Sequence, residues 1–166
     1  FAAALVAGAT AGCDEGELDA LELSSPAFGD GEPIPLRHTC FEDGVSPPLW
    51  IAGAKDDVVA YALVVVDLDA LEPPRAHWVL WNLPAGISQV AEGSAGGAVE
   101  GANADGQLGY LPPCPPEGEE HRYRFTVHGL DRELDLAPGA SLDDLESAMS
   151  GRRVARGELV GLVYGD

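Results

Sequence analysis

The chain has 166 residues, 46% of them hydrophobic, and carries 28 acidic against nine basic side chains, a formal net charge of −19. That length supports one domain with a proper core. The charge excludes nucleic acid as a partner and opposes spontaneous docking to anionic lipid, because an acidic surface repels phosphates at long range; it serves solubility or steering toward a basic protein partner.

In chain order, residues 1–12 are apolar, uncharged and rich in small side chains. They are too short to span a bilayer as a helix and have the composition of a signal-peptide core. With no Met at their start, they are read as a truncated signal peptide. Ala11-Gly12-Cys13 resembles the lipobox of bacterial lipoproteins, although Thr10 stands where a larger aliphatic residue is usual. Cys13 is therefore the expected lipidation site of an exported protein; plain secretion and a buried apolar segment are the alternatives. Membrane contact is expected only through that anchor. Residues 13–19 read as an acidic tether and residues 20–166 as the folded domain. Cys40 and Cys114 allow one internal bridge in an exported chain. A disulfide and two free thiols both stay open, while a metal pair lacks CxxC or Cys-His spacing.

Thirteen prolines and 21 glycines favour short strands and many turns over a helix bundle. Residues 21–24 alternate and can begin a strand. Residues 25–48 hold five prolines and three glycines, from Pro26 to Pro48, and read as edge pieces and ordered loops. Residues 58–66 are a continuous apolar run rich in valine, the pattern of a strand covered on both faces. Residues 77–83 form a second strand, ended by Pro84. Residues 121–130 form a third, with His121, Tyr123, Phe125 and Val127 on one face and Arg122, Arg124 and Thr126 on the other. Residues 85–108 lack a period and predict a long excursion. Ser141 with Asp144 is a capping-box pattern, and Leu142, Leu145 and Met149 give a helical stripe to about residue 150. Residues 158–164 close the chain as a fourth strand.

Polar clusters fall at strand ends: Asp67-Leu68-Asp69, then His77-Trp78, then the proline-rich stretch 112–116 leading to His121-Arg122-Tyr123. Each also has a plain reading. Paired aspartates form turns by accepting from nearby backbone N–H groups, a lone His is a buried structural residue, and a proline run is a rigid connection.

Taken together and in order, these segments resemble the phosphatidylethanolamine-binding protein family, which includes Raf kinase inhibitor protein and bacterial relatives. Asp67-Leu68-Asp69-Ala70 stands where the family has Asp-Pro-Asp-Ala-Pro, and residues 77–82 look like its following strand. Residues 109–118 with His121-Arg122-Tyr123 resemble its second signature; residues 24–28 and 46–49 are similar to bacterial members. The resemblance runs from about residue 21 to 164. It implies a mostly β, antiparallel β-sandwich with one or two short helices near the C-terminus and a small cavity at one end. It also implies that Asp67, Asp69, His77, His121 and Tyr123 line or brace that cavity, with Arg122 in a structural ion pair with a signature carboxylate. Leu111 and Pro112 stand at the cavity where bacterial relatives have glycines, and proline offers no N–H to an anion.

The function expected is a non-enzymatic binding protein without cofactor or metal, whose pocket takes an anionic group such as phosphate or a phospholipid headgroup. Lys55 is the only lysine, so the donors would be His, Arg, Tyr O–H and backbone N–H. Asp67 and Asp69 would repel an anion unless Arg122 or a His engages them. Two alternatives stand beside this: a protein-binding regulator of inhibitor type, and a hydrolase or metal site built from Asp67, Asp69, His77 and His121. No Gly-x-Ser-x-Gly nucleophile pattern favours the latter.

Overall fold

A computed structural model describes residues 17–71 and 75–166; residues 1–12 and Cys13 lie outside them. The strands are β1 (Asp19–Ala20), β2 (Glu22–Ser24), β3 (Glu32–Pro33), β4 (Leu49–Ala52), β5 (Ala60–Asp67), β6 (Arg75–Pro84), β7 (Gln89–Val90), β8 (Val99–Glu100), β9 (Glu120–Leu130) and β10 (Arg153–Tyr164). Among the described residues one helix, α1 (Leu142–Met149), precedes the last strand, and a single 3-10 turn covers Leu36–His38. The large sheet runs β1-β10-β9-β5-β6-β8, with β3 also on β10; the small sheet runs β2-β4-β7. The long pairings are antiparallel, and only the two-residue β1 and β3 lie parallel to β10.

β5 is buried along its whole length because both faces of the large sheet are covered. Its odd-numbered side chains Tyr61, Leu63 and Val65 join Trp78, Phe125 and Val127 against Leu23, Leu49 and Ile51 of the small sheet. Its even-numbered Ala62, Val64 and Val66 join Val79, Trp81, Leu145 and Met149 on the outer face, under α1. The period of two thus separates two cores on either side of one sheet. α1 begins at the capping box read from the sequence: Asp144 N–H donates to Ser141 Oγ at 3.1 Å and Ser141 N–H to Asp144 Oδ2 at 3.0 Å.

Three boundaries differ from expectation. β10 starts at Arg153 rather than 158, because its charged first half is held by β9 from Leu130 onward instead of by an apolar period. Asp19, read from sequence as the end of the acidic tether, pairs with Ala155 as part of β1 and ion-pairs with Lys55. The excursion at 85–108 carries the short strands β7 and β8. Gly157 explains the tight junction with β1: a Cβ there would stand 2.5 Å from the Leu21 carbonyl oxygen.

Candidate functional site

Strand register gathers the site. Asp67, the last residue of β5, pairs with Arg75 on one side and Tyr123 on the other, so three polar side chains meet at one end of the sheet. His77 lies two residues along β6 and His121 two residues before Tyr123 on β9, each on its neighbour's face. The loop at 111–116 crosses above them. A cavity of about 560 Å³ opens there, and Asp67, Asp69, His77, Leu111, Pro112, His121 and Tyr123 all line it. Arg122 lies outside the lining, on the opposite side of β9.

Asp67 is the hub. Its Oδ1 accepts from Asp69 N–H at 2.9 Å, the Asx turn of the plain reading, and its Oδ2 accepts from His121 Nδ1–H at 2.8 Å. Burial first and this carboxylate second push the Tyr123 phenol well above its ordinary pKa. Asp69 is held by Arg122, which donates through Nε at 3.0 Å, through Nη2 at 2.8 Å and through its backbone N–H at 2.8 Å. Those bonds lower the Asp69 pKa to about 2. Both carboxylates are therefore compensated from within the protein.

The two histidines differ. Burial disfavours a charge on His121, but its bonds to Asp67 and, at 3.2 Å, to Glu119 outweigh this and raise its pKa. His77 is 3% exposed, and burial lowers its pKa against the opposing pull of Leu111 and Asp67. Its Nδ1 lies 2.9 Å from the Leu111 carbonyl oxygen, which can only accept. Nδ1 therefore carries the proton, and the neutral ring presents Nε2 as an acceptor. Nε2 is buried without a hydrogen-bond partner.

This inventory departs from the sequence expectation in one respect. The Leu111 N–H (2.7 Å from the His77 carbonyl) and both His121 nitrogens are already engaged within the protein. The reason is the buried Asp67 carboxylate, which needs donors of its own. What the cavity offers freely is an acceptor, His77 Nε2, beside the Arg75 guanidinium.

Several lining residues were not singled out from sequence. Arg75, ion-paired with Asp105 at 2.8 Å, shares the face of His77 by simple alternation and was legible; Asp105 and Glu119 come from loops and had no signal. Cys40 and Cys114 are joined by a disulfide with their Cα atoms 5.4 Å apart, and both line the cavity. The bridge ties the segment after the 3-10 turn to the loop holding Leu111 and Pro112, assisted by Cys40 N–H donating to the Pro113 carbonyl at 3.0 Å. Among the described residues no three His, Cys, Asp or Glu side chains are grouped to hold a metal ion.

The chain and its fold have relatives. A UPF0098 protein of Pyrococcus horikoshii is 39% identical over 161 residues, covering 91% of this chain and 81% of that one. A UPF0098 protein of Chlamydia trachomatis is 38% identical over 148 residues, covering 85% and 97%. Among solved structures, a phosphatidylethanolamine-binding protein homologue from Chlamydia trachomatis superposes with a TM-score of 0.83 at 37% identity, covering 89% of this chain and 99% of that one. Escherichia coli YbcL, described as a new member of the mammalian family, gives 0.80 at 25% identity, covering 88% and 98%. The model of the phosphatidylethanolamine-binding protein family matches residues 24–164, nearly the whole domain and every residue that lines the cavity, so this chain belongs to that family.

Proposed function

We propose that the chain is a non-enzymatic binding protein whose cavity takes a small oxyanion carrying its own proton, such as monoanionic phosphate or a phosphomonoester like phosphoethanolamine. The observation that carries this reading is His77 Nε2, an acceptor buried without a partner beside a cavity in which both His121 nitrogens and the Leu111 N–H are already engaged. A neutral imidazole nitrogen accepts, so it matches a P–OH group, or becomes a donor by taking that proton. Arg75 adds charge on the same wall, and its partner Asp105 with Glu119 gives an ammonium group carboxylates to meet.

A proton held between ligand and His77 gives the affinity a pH dependence of definite sign. Phosphomonoesters lose their second proton near a pKa of about 6. Affinity is expected to be flat below that value and to fall about tenfold per pH unit above it. Titration of the full chain with phosphoethanolamine, followed by the His77 ring resonances and by calorimetry, checks this. Saturation at His77 is expected, with its calorimetric heat absent in His77→Ala. A His77 ring indifferent to millimolar ligand at pH 5.5 overturns the reading.

A further inference from the structure

The face of the large sheet opposite this cavity carries a second set of polar residues. Alternation on β9 puts Arg124, Thr126 and His128 there, and register places Arg156 beside His128 and Glu158 beside Thr126 on β10. On the other side, β5 sets Val66 beside Arg124 and Val64 beside Thr126. α1 roofs this surface with Leu142 and Glu146, enclosing a cavity of about 380 Å³. The chain has only nine Lys and Arg among 28 acidic residues, yet three of the nine, Arg124, Arg153 and Arg156, line this one cavity.

Carboxylates face it too. Asp143 and Glu146 come from α1, with Glu146 on Arg153; Glu158 of β10 takes Arg156 at 2.6 Å and approaches Arg124 at 3.6 Å. His128 nevertheless lies among the guanidiniums. It is 6% exposed, its Nδ1 has no hydrogen-bond partner, and Arg124 Nε is likewise buried without one. Thr126, also buried, reaches Glu158 only at 3.5 Å. Buried polar atoms left without partners are uncommon and call for an explanation. Burial first, then Arg153, Arg156 and Arg124, lower the His128 pKa to about 3. Three arginines thus gather around one buried imidazole in a molecule that is otherwise strongly negative.

We infer that this cavity is a second anion site, in which a small tetrahedral oxyanion, phosphate or sulfate, accepts from Arg124, Arg156, Thr126 and His128. It lies on the other side of the sheet from His77 and does not depend on the function proposed for that cavity. Glu158 acts as the internal competitor, occupying the guanidiniums until an anion arrives. Bound anion would also make a proton on His128 less unfavourable, so binding and protonation there are linked.

The test uses the full chain at low ionic strength, titrated with sodium phosphate, then sodium sulfate, against sodium chloride of matched ionic strength. The readout is the imidazole ring spectrum. Phosphate and sulfate are expected to shift the His128 ring saturably and raise its pKa by about one unit or more, whereas chloride does neither. Arg156→Gln should weaken binding about tenfold or more through loss of a charged donor. Glu158→Gln should tighten it about threefold by removing the competitor. The His128 response should survive in His77→Ala, which separates this site from the other. A His128 ring indifferent to both anions, an equal response to chloride, or weaker binding in Glu158→Gln overturns the inference. Should Arg156→Gln fail to fold, the Glu158→Gln result decides alone.

Discussion

His121, His77 and His128 are all buried, yet their neighbours drive their protonation in opposite directions. The carboxylates beside His121 raise its pKa, so its contribution to stability is full below the unfolded value of about 6.5 and disappears as pH rises through the folded value. Burial lowers the other two, so their contribution is full above about 6.5 and is lost as pH falls, because the unfolded chain takes a proton that the folded chain refuses. For His128, with a folded pKa of about 3, the loss between pH 6.5 and 4 is roughly 3 kcal/mol. Thermal melts from pH 7 to 4 should therefore show a gentler decline in His128→Asn than in the wild type. Parallel curves would mean that the ring is charged in the fold. Asp67→Asn tests the opposite case. It strips the buried partner from His121, should lower stability by about 2 kcal/mol or more, and should bring the His121 pKa down, as ring titration would show.

At the scale of elements, the vulnerable joints are where backbones meet rather than where side chains pack. Gly157 on β10 leaves a Cβ only 2.5 Å from the Leu21 carbonyl oxygen, and that neighbour is rigid main chain. Gly157→Ala is expected to cost about 2 kcal/mol or more, whereas Gly86→Ala, which meets nothing within 4 Å, should change stability by less than about 0.5 kcal/mol. Equal denaturation midpoints for the two variants would refute the joint. The disulfide closes a separation of 74 residues, and its removal in Cys40→Ser with Cys114→Ser should cost about 4 kcal/mol on the chain-entropy account. These joints also mark what the sequence could and could not disclose. β5, β6 and β9 were legible because an unbroken apolar run and a clean alternation are local signals of burial. The first half of β10 was not, since Arg153 and Arg156 serve a polar cavity on the outer face and break the apolar pattern. β1 and β3, two residues each, are too short to carry any period. The family resemblance named the cavity's main residues, but the donor and acceptor roles depend on partners such as Leu111, 34 residues from His77, that no local pattern joins.

The molecule as a whole is governed by a charge imbalance that its ion pairs cannot absorb. Eight of the nine basic side chains already lie within 4.0 Å of a carboxylate, and the ninth, Arg152, donates to the Ala148 carbonyl. With 28 acidic residues against nine basic ones, many carboxylates therefore have no Lys or Arg to pair with. Salt acts on the two populations oppositely: it weakens exposed pairs, which contribute little individually, and relieves repulsion among the unmatched charges. Repulsion should dominate at a net charge of −19, so raising sodium chloride from about 10 to 500 mM should raise the thermal midpoint, since the Debye length shrinks from about 30 Å to under 10 Å. A falling midpoint would show that the few ion pairs outweigh the excess of carboxylates. Sodium sulfate at matched ionic strength adds a second effect. If the arginine cavity beneath α1 binds sulfate, the midpoint rises further than in chloride, and binding linkage requires that increment to grow with the logarithm of sulfate concentration once the site is saturated. Sulfate also stabilises folded proteins by exclusion from their surfaces, but that contribution is shared by every variant. The increment specific to the cavity is the part that Arg156→Gln removes.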